Sequence, residues 1–237
     1  RVLLEEIMKH RFPALILDPH YEMDFQEGLE GAKDYRDEFE KYQIGEDIGV
    51  EFLHLSKGDL MALLSAVSPL TEAMTSAVDL LHRRGDTYMS FSSRLEDIAQ
   101  AMEYGKSRAE QVLRQDLEPM DRDRYQRYID LLESYPNIPL ASVQGIAWRL
   151  RRLHYSGLFS NNIEPIKRVM MQGKLAVIQG PIWLLQVFCT YLLTNIYRQR
   201  RNYKDGEFRG EVSEEYFPPF IIVTDEAHNF APKGREA

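Results

Sequence analysis

The chain has 237 residues, 44% of them hydrophobic and 28% charged, and a formal net charge of −8 at pH 7. This length and composition are typical of a globular protein with one large domain or two small ones. The acidic balance excludes nucleic-acid binding through overall charge, so any such binding requires a local basic patch.

Two strands are predicted near the start of the chain. Residues 1 to 11 have the pattern of a helix, and the apolar run of residues 14 to 18 predicts a short buried strand. Residues 26 to 48 are polar and contain glycine, which indicates a surface excursion. Residues 50 to 55 alternate loosely between apolar and polar types, and this pattern predicts the second strand.

Capping signals and helical periodicity dominate the middle of the chain. Two pairs have the spacing of helix N-terminal capping boxes, namely Ser56 with Asp59 and Ser93 with Glu96. The second pair is predicted to open a helix that runs to about Asp116, and residues 121 to 134 predict another. No convincing strand pattern falls between residues 70 and 170, so we expect an all-helical insertion there.

The strand signal returns later in the chain. Residues 174 to 179 predict a third strand, residues 182 to 201 a long helix, and residues 220 to 224 a fourth strand buried on both faces. Polar residues and a Gly-Pro pair interrupt the apolar stretch from 178 to 197, which argues against a membrane span. Cys189, the one cysteine, is expected in the core and indicates a reducing cytoplasm.

The order of these elements predicts an α/β fold. Strands that alternate with helices form a parallel sheet flanked by helices, and here a helical bundle would grow from one connection. The predicted domains are an α/β core of residues 1–69 and 171–237 and a helical insertion of residues 70–170.

Two adjacent carboxylates, Asp225 and Glu226, directly follow the last predicted strand. Ligands of parallel sheets bind beyond the carboxyl ends of the strands, so a site explains these acids better than packing does. In an ATP-hydrolysing site, Asp225 would hold Mg²⁺ through water and Glu226 would polarise the attacking water. The alternative is a strand end whose acids only face solvent.

A phosphate-binding loop of the form Gly-x4-Gly-Lys-Ser/Thr should accompany such acids, but the sequence contains none. The nearest lookalike, residues 100 to 107, has glutamine at the first glycine position and a helical pattern. Because the loop would precede the helix that the chain enters midway, we expect it upstream of Arg1.

Further polar residues are candidates for the same site. Asp18, His20 and Glu22 follow the first strand, and they would support a nucleotide pocket if that strand neighbours the last one. An ordinary Asp-Pro turn is the alternative. His228 either senses the γ-phosphate for a neighbouring subunit or is a hydrogen-bonded histidine at a strand-to-loop junction. No zinc-ligand spacing is present.

Several arginines are open to two interpretations. They are Arg83, Arg84, Arg149, Arg151, Arg152, Arg198, Arg200 and Arg201. Arginine stems cover apolar helix faces and their charges favour helix C-termini, which is a structural role. DNA-phosphate contact, or insertion into a neighbouring subunit's nucleotide site, is the alternative. The sequence assigns no DNA-contacting residue.

Three segments together carry a family resemblance. They are Leu-Ile-Leu-Asp-Pro-His-Tyr-Glu (15–22), Val-Ile-Gln-Gly (177–180) and Ile-Ile-Val-Thr-Asp-Glu-Ala-His-Asn-Phe-Ala-Pro (221–232). The combination resembles the HerA-type DNA translocases, in the HerA and FtsK branch of P-loop ATPases. Tyr21 stands where that family commonly has glycine.

The resemblance implies a three-layer, RecA-like ATPase core that uses ATP and Mg²⁺. It implies a hexameric ring that threads double-stranded DNA through its pore. A nuclease or other effector would be the partner, in DNA-end processing and repair or in antiviral defence. Asp225 and Glu226 would be the Walker B acids, and Asp18, His20 and Glu22 would line the same pocket.

Two other functions stay open. DEAH-box RNA helicases share the letters Asp-Glu-Ala-His, but their cores form two tandem domains without a helical insert of this size before the motif. A catalytically silent ring scaffold for an effector protein is the non-enzymatic alternative. An intact phosphate-binding loop upstream would favour the ATPase over the scaffold.

Overall fold

The computed structural model describes residues 2–26, 35–116, 118–210, 215–224 and 227–230. Within these ranges the chain forms helices and parallel strands, with 3₁₀ turns at Phe52–His54 and Ala227–Asn229. In chain order the elements are α1 (Val2–Lys9), β1 (Ala14–Asp18), β2 (Phe39–Gln43), α2 (Lys57–Val67), α3 (Glu72–Leu81), α4 (Tyr88–Tyr104), α5 (Lys106–Leu113), α6 (Pro119–Ser134), α7 (Leu140–Tyr155), α8 (Glu164–Met171), β3 (Leu175–Gln179), α9 (Ile182–Arg209) and β4 (Ile221–Thr224). The predicted α/β fold is confirmed.

The four strands form one parallel sheet in the order β2-β3-β1-β4. Asp18 at the end of β1 lies opposite Gln179 at the end of β3, and Gln43 at the end of β2 also lies opposite Gln179. Thr224 at the end of β4 pairs with Leu17, one residue before the end of β1. All four strands therefore end at the same edge of the sheet.

The two central strands, β1 and β3, are buried on both faces. Ile16 and Val177 point to one face, where Leu4 and Met8 of α1 pack against them. The alternating residues, such as Leu17, point to the other face and are equally buried. Each fully buried side chain of this kind contributes about 1.5–3 kcal/mol, so this core holds the carboxyl edge of the sheet in place.

The prediction that the last strand is buried on both faces is wrong. Ile221 is 40% exposed and Ile222, its neighbour on the opposite face, is 41% exposed. Among the strands that the structure describes, β4 pairs only with β1, so it lies at an edge of the sheet. An apolar run alone does not distinguish an edge strand from a central one.

The predicted strand at residues 50 to 55 is also wrong. Phe52–His54 is a 3₁₀ turn, and the strand lies earlier, at Phe39–Gln43, inside the segment predicted as a surface excursion. Its sequence Phe-Glu-Lys-Tyr-Gln is polar because β2 forms the other edge of the sheet, where only Phe39 is fully buried. Charged residues are typical of edge strands.

Contacts divide the chain into two compact units. One unit comprises Arg1–Glu51 and Ser156–Ala237, and the other comprises Phe52–Tyr155. In its described residues the second unit contains helices and no β-strand. The predicted domain boundaries at residues 69/70 and 170/171 stay predictions, since contact units are not independent domains.

Two capping predictions had different outcomes. Ser56 and Asp59 form the predicted capping box at the start of α2. The box predicted at Ser93 is wrong, because α4 begins earlier and is capped by Thr87 and Ser90. The helix also ends at Gly105, whose φ of 86° is unfavourable for other residues, so it does not run to Asp116.

The apolar stretch of residues 178 to 197 is the end of β3 followed by α9, as predicted. Cys189 on α9 is 4% exposed, which confirms its predicted place in the core. Burial raises the pKa of its thiol to about 12. Of the helices that the structure describes, none has the length and apolarity needed to cross a membrane.

Candidate functional site

Polar residues end the strands at the carboxyl edge of the sheet. From one side to the other they are Gln43, Gln179, Asp18 and Thr224. Parallel sheets bind ligands outside this edge, because the connections that leave it form a crevice. The first and last strands are neighbours, because β1 pairs with β4, so the condition on which the combined site depended is met.

Asp18 organises the turn that follows β1. It is 1% exposed. One carboxylate oxygen accepts a hydrogen bond from the backbone N–H of Glu22 at 3.2 Å, and the other accepts from the N–H of Met23 at 3.0 Å. The second oxygen also accepts from Nε2 of Gln179 at 2.8 Å. Its hydrogen bonds lie within the fold, so Asp18 shapes the loop through its backbone.

The turn held by Asp18 presents His20 and Glu22 at the surface, and both side chains are exposed. Tyr21 between them has a φ of 61°, in the left-handed region that favours glycine. This is the position at which the resemblance to HerA-type proteins leads one to expect glycine. The backbone conformation that glycine would adopt is therefore kept here with a tyrosine, at a cost of about 1–2 kcal/mol.

The segment after β4 carries the remaining predicted residues. Asp225 and Glu226 lie outside the described residues; in the sequence they directly follow Thr224. His228 is exposed and belongs to the short 3₁₀ turn Ala227–Asn229. Gln186 in the first turns of α9 donates from Nε2 to the carbonyl oxygen of Asn229 at 2.7 Å, which ties this turn to α9.

The chemistry of this edge fits a magnesium–nucleotide complex in its donor types. Mg²⁺ prefers carboxylate and other hard oxygen ligands, and Thr224, Asp225 and Glu226 supply such oxygens in sequence. Asp18 fits a structural anchor better than a metal ligand, since three hydrogen bonds already occupy its carboxylate. Among the described residues, no group of three acidic, histidine or cysteine side chains is placed to hold a metal ion.

Other sequence candidates have structural roles. Arg149 is buried, and its guanidinium donates to the carbonyl oxygens of Ser68, Pro69 and Gly145. Arg200 donates to the carbonyl oxygen of Phe217 at 2.6 Å. The lookalike phosphate loop lies at the end of α4, with its lysine in α5, so it does not form a strand-loop-helix motif.

Two residues that sequence reasoning did not select hold the site together. Gln179 joins the end of β3 to Asp18, and Gln186 joins α9 to the turn after β4. Both glutamines are noticeable in the sequence, because Gln179 ends an apolar strand and Gln186 interrupts an apolar helix. Such a residue indicates a side chain with a specific hydrogen-bond partner.

A parallel sheet with buried central strands and a polar carboxyl edge defines an α/β protein with a ligand-binding position beyond the strand ends. A model of the family described as helicase HerA, central domain, matches residues 1–195, and the chain belongs to this family. The resemblance to HerA-type proteins is thus confirmed. The match includes Asp18, His20, Glu22 and Gln179 and ends before Asp225. No curated protein and no solved structure matches the chain significantly.

Membership of this family defines the general class of activity. HerA central domains are P-loop ATPase domains of the HerA and FtsK type, which use nucleotide and Mg²⁺ and form oligomeric assemblies that bind DNA. The DEAH-box alternative is disfavoured, because the four shared letters are less specific than a family match over 195 residues.

Proposed function

We propose that the chain is the ATP-hydrolysing motor domain of a DNA translocase or helicase. The observation that carries the proposal is the pairing of β1 with β4, which brings the end of the Asp18 strand beside Thr224. Asp225 and Glu226 directly follow Thr224 in the sequence. Family membership supports the same conclusion.

Each residue has a proposed role. Asp225 holds Mg²⁺ through water, and Glu226 is the catalytic acid that polarises the attacking water. When bound, Mg²⁺ neutralises charge on the phosphate oxygens. His228 senses the γ-phosphate and transmits that state to a neighbouring subunit. Of the turn residues, His20 and Glu22 face the pocket, while Asp18 positions them.

The assembly is a second part of the proposal. We propose a hexameric ring around double-stranded DNA, with nucleotide bound between neighbouring subunits. A nuclease or another effector would act with it, in DNA-end processing and repair or in antiviral defence. The oligomeric, DNA-binding character of the family supports this arrangement. The cytoplasmic location expected from the cysteine usage stays a prediction.

One experiment tests the motor function as a whole. The full-length protein is incubated with MgATP and a DNA duplex that carries a bound third strand, and displacement of that strand reports translocation. We expect ATP-dependent displacement, and we expect the duplex to stimulate ATP hydrolysis. Hydrolysis that does not respond to DNA, with no displacement, would exclude a translocase.

A catalytically silent ring scaffold is the second candidate. It is the non-enzymatic reading of the same family membership. The scaffold predicts ring assembly and effector binding without nucleotide turnover. The oligomeric mass and the ATPase rate of the same full-length preparation distinguish the motor from the scaffold. Both should assemble as rings, but only the motor should hydrolyse ATP.

A further inference from the structure

A polar cleft of about 320 Å³ lies within the helical unit Phe52–Tyr155. Arg83 lines it from the connection between α3 and α4, Ser93 and Arg94 line it from α4, and Tyr135 lines it from the end of α6. Side chains from three separate places in the unit therefore converge on one space.

The floor of the cleft is held rigidly. Arg94 forms a bidentate ion pair with the buried Asp86, with nitrogen–oxygen distances of 2.7 and 2.8 Å. The same guanidinium donates to the carbonyl oxygen of Leu81 at 2.7 Å. The hydroxyl of Ser90 donates to Asp86 at 3.0 Å. This network fixes the guanidinium in one orientation before any ligand arrives.

Three donors around the cleft are unused within the described part of the chain. The guanidinium of Arg83, the hydroxyl of Ser93 and the hydroxyl of Tyr135 make no hydrogen bond or ion pair there. Arg83 takes part in the network only through its backbone N–H, which donates to Asp86 at 2.8 Å. A ligand rich in hydrogen-bond acceptors would satisfy all three side chains.

The charge of the cleft selects an anion. Three guanidinium groups, those of Arg83, Arg94 and Arg127, outnumber the two carboxylates of Asp86 and Asp97. Arg127 is paired with Asp97 at the rim. These groups give the cleft a net positive charge, although the formal net charge of the whole chain is −8 at pH 7. A local positive site on an acidic protein is the setting in which an anion binds specifically.

We propose that this cleft binds a phosphoryl group. The oxygens of a phosphate group point in different directions, which suits donors that approach from Arg83, Ser93 and Tyr135. Arginine matches phosphate oxygens with parallel N–H groups. The group belongs either to a free phosphate anion or to the backbone of DNA. The cleft contains none of the residues proposed for ATP hydrolysis, and its test measures binding without hydrolysis.

The test uses the full-length protein and two variants of equal charge change. Arg83→Gln removes a cleft donor, and Arg84→Gln removes the neighbouring exposed arginine, which does not line the cleft. Each protein is titrated at constant ionic strength with inorganic phosphate, with acetate and with a short DNA duplex. Arginine Nε–H signals are followed by NMR, and Arg83→Gln should fold normally because its side chain is exposed.

We expect saturable binding of phosphate that Arg83→Gln weakens about tenfold and Arg84→Gln leaves unchanged. If the duplex alone saturates with this same pattern of variants, the proposal holds with the DNA backbone as the source of the phosphoryl group. It is overturned if neither probe saturates, if acetate binds as well as phosphate, or if the two variants behave alike.

Discussion

Gln179 donates a hydrogen bond from Nε2 to Asp18 at 2.8 Å, across the parallel pair formed by β3 and β1. The two residues lie directly opposite each other at the carboxyl edge of the sheet. Asp18 in turn accepts the backbone N–H groups of Glu22 and Met23. The loop that presents His20 and Glu22 is therefore held by Asp18 of β1, which it follows, and through Asp18 by Gln179 of the neighbouring strand β3.

Replacement of Gln179 should loosen this loop. Gln179→Leu leaves a buried carboxylate with one hydrogen bond fewer, and we expect a loss of about 1–3 kcal/mol in the free energy of unfolding. The matched control is Gln43→Leu, because Gln43 ends β2 in register with Gln179 but its side chain, among the residues that the structure describes, bonds only the exposed Glu46. Urea unfolding measures both. Equal losses of unfolding free energy in the two variants would show that the hydrogen bond to Asp18 stabilises the fold no more than the exposed bond of Gln43 does.

Tyr21 is expected to carry backbone strain, since its φ is 61°. Tyr21→Gly and Tyr21→Ala remove the same ring, but only glycine relieves the strain, so the glycine variant should be more stable by about 1 kcal/mol. At Tyr42, within β2, the order should reverse, because glycine weakens a strand. Thermal unfolding of the four variants checks this. A Tyr21→Ala variant as stable as Tyr21→Gly would contradict it.

The pair formed by Asp86 and Arg94 should stabilise the helical unit. Asp86→Asn leaves a largely buried guanidinium without its partner, and we expect a loss of about 3 kcal/mol. The exposed pair of Asp79 and Lys57 is the control, and Asp79→Asn should cost less than about 1 kcal/mol. Urea unfolding at neutral pH gives both values. Similar losses would mean that burial adds nothing to the first pair.

The pair formed by Asp86 and Arg94 should also make the stability of the protein depend on pH in the acid range. Burial alone would raise the pKa of Asp86, but hydrogen bonds from Arg94, from the backbone of Arg83 and from Ser90 outweigh it and lower the pKa to about 2. The stabilisation is therefore present above the ordinary pKa of 3.8 and is lost as the pH falls from there through about 2. The free energies of unfolding of wild type and Asp86→Asn should therefore converge as the pH falls over this interval. A constant difference would contradict the assignment.

His82 should also make stability fall as the pH drops, but in a higher pH range than Asp86 and because its neutral form is the buried one. It is 3% exposed, it packs edge-on against Phe52 and Phe91, and its Nδ1 has no hydrogen-bond partner in the described part of the chain. Burial lowers its pKa below 6.5; Lys57 and Arg94 add to this, and Asp86 opposes it. The unfolded chain then binds the proton first, so stability falls as the pH drops below 6.5.

The variant His82→Phe removes the titrating group and keeps an aromatic ring. We expect unfolding free energies of wild type and His82→Phe to diverge between pH 7 and pH 5, with wild type losing more. Comparing the slopes against pH makes the test independent of any packing difference between the two rings. Parallel slopes would show that His82 does not protonate preferentially on unfolding.

The central part of the fold could be predicted because its signals are local. The apolar runs of β1 and β3 and the capping box of Ser56 and Asp59 correspond to observed elements, since burial on both faces and a helix start each leave a short pattern. The edge strand β2 could not be predicted. Its polar sequence suits an edge, and only pairing with β3 makes it a strand.

The candidate site was predicted in part for the same reason. Asp18 could be selected because it ends an apolar run, but its partners Glu22 and Met23 act through backbone N–H groups, which no side-chain pattern records. Gln179 lies 161 residues away in the sequence. A contact of that kind depends on the strand order, and the strand order is fixed by packing rather than by local sequence.

The central claim is that Glu226 activates the water that attacks ATP. Its most direct measurement is the single-turnover rate of ATP hydrolysis by the full-length protein with Glu226→Gln, with Glu207→Gln on the exposed end of α9 as the control. We expect Glu226→Gln to bind MgATP normally and to hydrolyse it about 10²- to 10⁴-fold more slowly, while the control matches wild type. Hydrolysis by Glu226→Gln at the wild-type rate would contradict the claim.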